Sequence, residues 1–545
     1  MSEYKQPNIL LILNDDMGFS DLGCYGGEIH SPNLDRLAYG GLRFTQFYNT
    51  ARCCPSRASL LTGLHPHQTG VGHMMTDDGL EGYRGDLNHN CVTIADVTKA
   101  VGYDTYMSGK WHISRHIGPD GPKHSWPLQR GFDHFYGIIT GAANFWRPRT
   151  LTHNNKQLDL EDLPDDYFFT DAISDKAVEH IRLHQETKPN NPFFSYVAYT
   201  APHWPLHAHQ EDIDKYLGRF DRGWDILRQQ RLQRMRQMGL LDESWEMSDR
   251  DPSQLPWEQA EFKEWNCRRM EVYSAQVDRM DQGIGRIIKA LEDTGQLENT
   301  IIMFLADNGG CAEELGGSPR PGNARVRESD TDISTFLTSD GQPIYHGNDP
   351  NIMPGPETTY QSYGVPWANL SNTPFREYKH WVHEGGIGTP LIVHWPAGIS
   401  ARGELRHQPA QLTDIMATCL EVSSAKYPTE HKGNKIQPLQ GDSLVPIFDN
   451  QDNGKEVLYW EHEGNRAVRK GRWKLVSKYP GNWELYDIEK DRTELNDLSP
   501  QYPKVVTELL SLYDAWADLC SVESWDDITT SRKSSRANRK KFSKK

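Results

Sequence analysis

The sequence predicts an α/β fold: a mixed, largely parallel sheet flanked by helices, then a smaller C-terminal α+β domain of antiparallel sheet plus helix. Three observations carry this. Two wholly apolar runs, Ile9–Leu13 and Ile301–Ala306, read as strands buried on both faces, as in parallel sheets. Each is followed by oxygen-bearing side chains, Asp15-Asp16 and Asp307-Asn308, at the strand ends where ligands of open α/β sheets gather. After about residue 450 the pattern changes to short amphipathic strands, Val457–Glu461, Trp473–Ser477 and Trp483–Tyr486, and a helix Tyr502–Ala515. The expected units are residues 1–450, residues 451–530, and a basic tail, 531–545, expected to be disordered.

The chain has 545 residues, 37% of them hydrophobic, enough for a large packed core with a second, smaller unit. No apolar run approaches the ~18–20 residues needed to span a bilayer, so no membrane partner is expected. The segment Met1–Pro7 has no basic n-region, and Ile9–Leu13 is too short for a signal h-region; the expectation is a cytoplasmic protein. The eight cysteines are scattered apart from Cys53-Cys54 and form no CxxC metal spacing, which favours reduced thiols. The net charge is −16, although residues 531–545 carry eight Lys or Arg and no acid. An acidic body repels anions at long range, so an anionic substrate needs a concentrated local cluster of cations. The basic tail is read as solubilising, without a nucleic-acid partner.

In chain order, Asn8–Asn14 is a central strand, and Asp15-Asp16 after it are either turn residues or ligands for a hard metal. Ser31 caps a helix, and Leu42–Tyr48 is a strand leading to Cys53-Cys54-Pro55-Ser56-Arg57. Pro55 suits the first turn of a helix, which sets Cys53 at a helix N-terminus with Arg57 one turn on. Cys53 is there either an activated thiolate or an ordinary buried cysteine. After a helix Thr93–Ala100, Lys110 and His112 lie two residues apart near a strand end, facing one side. A cation and an imidazole so placed can bind an oxyanion and move a proton. A strand beginning near Pro192 runs into a Pro-flanked loop with His203; His207 is read as structural. Leu227–Gly239 reads as a solvated helix and Met270–Asp293 as a packing helix. Asp307-Asn308-Gly309 is either an Asx-Gly turn or the second half of a metal site. Residues 310–369 are irregular and expected to wall a substrate pocket. Ser371–Lys379 and His383–Gly386 come next, and Pro390–Trp395 is expected to close the main sheet.

Cys53-x-Pro55-Ser56-Arg57 followed by Leu61-Thr62-Gly63 resembles the type I sulfatase signature, and Gly109-Lys110-Trp111-His112 resembles a second motif of that family. The paired aspartates, Asp307-Asn308-Gly309, His203 and the Lys379 segment match further family motifs in the right order, with the closest likeness to soluble bacterial arylsulfatases. One departure is Ile113-Ser114, where the family usually has Leu-Gly. The resemblance implies the alkaline-phosphatase-like fold and hydrolysis of aryl or carbohydrate sulfate esters. It implies that Cys53 is oxidised to formylglycine by a maturation enzyme. It further implies Ca2+, or Mg2+ in its place, held by Asp15, Asp16, Asp307, Asn308 and residue 53. In the implied mechanism the metal activates one hydroxyl of hydrated formylglycine, which attacks sulfur. Arg57, Lys110 and Lys379 stabilise the sulfuryl group, Lys379 or His203 assists the leaving group, and His112 takes a proton from the second hydroxyl so that sulfate is expelled. A phosphonate monoester or phosphodiester hydrolase using the same residue is the alternative reading, and a catalytically silent binding protein a remote third.

Overall fold

The computed structural model describes residues 6–316 and 336–542. Its main sheet is built from β1 (Asn8–Asn14), β2 (Leu42–Tyr48), β3 (Asp104–Lys110), β4 (His134–Ile138), β5 (Leu151–His153), β6 (Lys156–Gln157), β7 (Phe193–Ala198) and β8 (Thr300–Ala306). After the short pair β9 (Tyr345–His346) and β10 (Thr359–Tyr360), β11 (Gly388–His394), β12 (Glu404–Arg406) and β13 (Ala410–Gln411) complete it. The order is β12-β2-β11-β8-β1-β7-β3-β4-β5-β6, with β13 also on β2. Strand β1 pairs in parallel with both β7 and β8, so Ile12 lies between Val197 and Phe304.

The apolar runs form strands because both faces are covered. Leu10 and Ile12 face a core shared with the helices Pro32–Tyr39, Phe169–Thr187 and Lys263–Asp293. Ile9, Leu11 and Leu13 face the other core, closed by the helices Cys53–Thr62, Ile94–Lys99 and Thr413–Ser423. Alternate side chains thus enter opposite cores, which a period of two requires. The three-layer, largely parallel arrangement expected from the sequence is therefore present. Pro390–Trp395 does not close the sheet at an edge. Strand β11 sits inside it, antiparallel to both β2 and β8, with a register shift between Thr389 and Leu391. Its apolar residues gain cover on both sides there, which an edge would not give.

The C-terminal sheet has four antiparallel strands, Val457–His462, Asn465–Lys470, Trp473–Ser477 and Trp483–Asp487. The strand Asn465–Lys470 was not legible, because its charged residues leave only Ala467 and Val468 as apolar signal. One face of this sheet packs Leu458, Trp460 and Val476 against Tyr48, Val382 and Ile387 of the main body. The other face is covered by Leu509, Tyr513 and Trp516 of the helix Pro503–Cys520. The chain beyond Ser531 was expected to be disordered, yet a helix runs over Trp525–Phe542. Ser524 and Asp527 start it as a reciprocal cap, Asp527 N–H donating to Ser524 Oγ at 3.2 Å and Ser524 O–H donating to Asp527 Oδ2 at 2.6 Å. Arg532 then donates twice to the Asp78 carboxylate at 2.8 Å.

The two units are joined by a buried network of charges. Glu384 accepts from Lys474 Nζ at 2.9 Å, Arg492 Nε at 2.7 Å and the Tyr48 hydroxyl at 3.0 Å. Lys474 also pairs with Glu494 at 2.8 Å, and all four charged side chains are essentially sealed from solvent. Removing one partner from such a network leaves an uncompensated charge in low dielectric. Lys474→Met is therefore expected to lower stability by about 3–5 kcal/mol, read from urea melts. A change under ~1 kcal/mol would mean that the network contributes no more than a surface ion pair.

Candidate active site

The parallel strands β1, β3, β7 and β8 end at one edge of the sheet, and the site is built from the residues at and just beyond their ends. Asp15 and Asp16 come directly after β1, Lys110 ends β3 with His112 just after it, and His203 lies beyond β7. Asp307 and Asn308 come directly after β8. Strand β2 runs the same way and delivers the turn 49–52, after which the helix Cys53–Thr62 begins. Lys379 arrives on the segment that leads into β11.

The turns are tightly specified. Ser56 Oγ accepts from the Thr50 N–H at 3.1 Å, and the helix stops at Gly63, whose φ of 70° no other residue adopts so freely. Asp16, Ala51, His112, Glu377 and His380 all have left-handed backbone, with φ between 59° and 89°. Such strain gathers where surrounding structure imposes a geometry. Gly141 shows how closely His112 is held, since a Cβ there would sit 2.1 Å from His112 Nε2.

All the sequence-predicted site residues converge. Lys110 Nζ donates to Asp15 Oδ2 at 2.5 Å. Lys379 Nζ donates to Asp16 Oδ2 at 2.8 Å and lies 3.3 Å from His203 Nε2. Arg57 donates through Nε and Nη2 to Asp307 Oδ2 at 3.1 and 2.8 Å, and through Nη1 to the Lys110 carbonyl at 3.0 Å. Its guanidinium is thus engaged with the carboxylate layer. Asn308 Nδ2 donates to Asp16 Oδ1 at 2.7 Å. Cys53 is 1% exposed. Its thiol lies with the Cys54 thiol and a His112 ring nitrogen in a group whose ligand atoms are within 4.8 Å of one another; Asp15, Asp16 and His203 form another such group.

Electrostatics follows from burial. A hydrogen bond from Cys54 holds the Cys53 thiol well below the usual thiol range, helped by Lys110, His112 and Lys379, while burial opposes this. Burial pushes Asp15 and Asp307 up, against the pull of Lys110 and Arg57. Burial would raise Asp16 too, but His203 and Lys379 more than reverse it, and its carboxyl is lowered. Burial pushes His112 down to about 3 and His203 to about 4, so both rings are neutral near pH 7. His203 Nδ1 donates to the Trp204 carbonyl at 2.6 Å, which leaves Nε2 as the basic nitrogen facing Asp16 and Lys379.

The oxygens fit a hard divalent cation. Asp15 Oδ1 and Asn308 Oδ1 are buried without any hydrogen-bond partner, a costly arrangement unless a cation engages them. Carboxylate and amide oxygens suit calcium or magnesium better than the softer transition metals.

Sequence reasoning missed the Arg52–Glu313–Trp204 chain. Glu313 accepts from Arg52 Nη1 at 2.7 Å and from Trp204 Nε1 at 2.9 Å, which places a charged and aromatic rim beside residue 53. The only signal was adjacency, Arg52 to Cys53 and Trp204 to His203. Within segment 310–369, Glu313 meets this rim and so does Tyr360, whose ring centroid lies 5.8 Å from that of Trp204; residues 317–335 lie outside the described residues. His207 is buried, its Nε2 donating to the Thr359 carbonyl at 2.6 Å, in keeping with a structural role. All eight cysteines are free and buried.

Comparison with known proteins agrees with this geometry. The Sulfatase family model matches residues 7–425, and a model described as N-sulphoglucosamine sulphohydrolase, C-terminal, matches residues 376–515. The chain is 31% identical over 552 residues to an uncharacterized sulfatase of Schizosaccharomyces pombe, covering 94% of this chain and 93% of that one. It is 29% identical over 460 residues to the arylsulfatase of Klebsiella aerogenes, covering 82% and 93%. Among solved structures, Ps i-CgsB in complex with k-i-k-neocarrahexaose shares the fold with a TM-score of 0.65 at 24% identity, covering 96% of this chain and 99% of that one. The chain belongs to the sulfatase family, with its alkaline-phosphatase-like fold, and is a sulfuric ester hydrolase.

Proposed function

We propose that the chain hydrolyses aryl or carbohydrate sulfate esters with residue 53 converted to formylglycine and a calcium or magnesium ion held by Asp15, Asp16, Asp307 and Asn308. The observation that carries this reading is the sealing of Cys53 among a carboxylate cluster, two lysines and two neutral histidines. The names of the relatives, arylsulfatase among them, support the substrate class. The cation would supply positive charge for the sulfate oxygens and lower the pKa of a coordinated hydroxyl. Formylglycine would supply a hydrated aldehyde as nucleophile, formed from Cys53 by a maturation enzyme.

The chain's own groups have distinct tasks in this reading. Lys110 and Lys379 hold the sulfate oxygens, fixed beforehand by Asp15 and Asp16 and needing no reorganisation as charge develops. Arg57 fixes Asp307 and the Lys110 backbone, a positioning task that follows from its hydrogen bonds. Lys379 Nζ donates to the leaving oxygen and supplies its proton, while His203 Nε2, an acceptor 3.3 Å from that ammonium, orients it. His112, neutral and pressed onto Gly141, accepts a proton from residue 53. Trp204 and Arg52 form the rim against which an aryl or sugar group rests.

Three outcomes test this. Cys53→Ala abolishes turnover of an aryl sulfate while Cys54→Ala retains most of it, and mass spectrometry of the matured protein finds formylglycine at position 53; equal loss in both variants removes the assignment. Lys379→Ala lowers kcat/KM by ~10²–10³, the usual effect of losing one prepositioned donor. Asp307→Asn releases the calcium or magnesium that elemental analysis finds in the native enzyme, and retention of that ion in the variant would place the metal elsewhere.

A further inference from the structure

A second cluster of ligand-bearing side chains lies beyond the carboxylate site. It draws on three separate segments: His73, then His380 next to Lys379, then His462 and Glu463 at the end of the strand Val457–His462. Glu463 Oε1 is 2.5 Å from His73 Nε2 and 3.9 Å from His462 Nε2, and Glu463 Oε2 is 3.1 Å from His380 Nδ1. The His73 and His462 rings stack with centroids 5.5 Å apart and planes 7° from parallel. One ligand atom from each of His73, His462 and Glu463 lies within 4.8 Å of the others.

Hydrogen bonding within the cluster leaves His462 unexplained. Its side chain is fully buried and neither ring nitrogen has a hydrogen-bond partner. A neutral imidazole always carries one N–H and one lone pair, and leaving a buried polar group unmatched costs ~1–3 kcal/mol. Glu463, in the two-residue hairpin between His462 and Asn465, turns its carboxylate toward the three rings. Three imidazole nitrogens gathered around one carboxylate are a donor set that a borderline divalent ion selects once the facing ring protons are displaced, whereas calcium and magnesium prefer all-oxygen shells.

We propose that His73, His380, His462 and Glu463 form a second metal site, for zinc or a similar transition-metal ion. The ion binds His73 through Nε2, so the ring proton moves to Nδ1. Arg532, whose Nη2 lies 2.5 Å from that Nδ1, gives up the contact and keeps its two bonds to Asp78. The site staples the segment bearing Lys379 to the C-terminal sheet and to the loop around His73.

The test is titration of the calcium-saturated full chain with zinc chloride by calorimetry, and with cobalt(II) by visible absorption. The expected result is one zinc per chain and the intense absorption bands of four-coordinate cobalt. Removal of a mere outer-shell partner weakens metal binding ~10–100-fold, so loss of a ligand in Glu463→Gln or His462→Asn exceeds that. Circular dichroism without zinc establishes that each variant is folded, and Glu463→Gln keeps an acceptor for the neighbouring rings. Asp307→Asn retains the zinc. Absence of stoichiometric zinc in the native chain overturns the proposal. So does unchanged affinity in both folded variants, and so does loss of zinc in Asp307→Asn, which would assign the ion to the carboxylate site.

Discussion

The structure turns on charge that is sealed away from water. Asp15, Asp16, Asp307, Arg57, Lys110 and Lys379 meet at the end of the sheet with almost no exposure. In such surroundings an unmatched charge is too costly to persist, so every acid must face a cation and every cation an acid. That demand selects the architecture. Parallel strands that end together bring groups from positions 15, 110 and 307 to one point, where Lys110 reaches Asp15 and Arg57 reaches Asp307. The same enclosure makes each fixed charge act strongly on an anionic ester, because no solvent screens it.

The second unit serves the first. Lys379 lies on a segment whose next residues meet the C-terminal sheet: Val382 and Ile387 pack on Leu458 and Trp460, and Glu384 is clasped by Lys474 and Arg492. The backbone of that segment is also tied inward, the His380 N–H donating to the Ala51 carbonyl at 2.7 Å, in the turn just before residue 53. The position of the lysine is therefore set from both sides, by the turn ahead of the Cys53 helix and by a sheet that contributes none of the six groups above.

Much of this was legible in the sequence, for physical reasons. Runs such as Ile9–Leu13 have no polar member and admit few readings, and Cys53–Gly63 is long enough to be specific. Asp15-Asp16 and Asp307-Asn308 were ambiguous alone, since a turn and a metal ligand use the same residue types. Contacts that depend on tertiary approach were not legible. Glu313 meets Arg52 across 261 residues. Gly141 matters because of a ring that lies on it, and β11 lies inside the sheet because both β2 and β8 offer partners. The helix after Trp525 was hidden by a composition that reads as solvated, although Ser524 and Asp527 held a local signal for its start.

The helix that begins at Cys53 has its cover far downstream. It belongs to the core closed by the helix Thr413–Ser423, and Gly63 at its end abuts Met416. Among the described residues, strand β2, which delivers it, pairs only with β11, β12 and β13, all beyond residue 387. During synthesis the helix that begins at Cys53 lacks this cover until those segments leave the ribosome. At ~5–20 residues per second this interval lasts roughly 20–70 s. Chain topology thus acts as a clock: any catalyst that must reach the Cys53 thiol has an opening set by the length of intervening sequence, and it shuts when the sheet is completed.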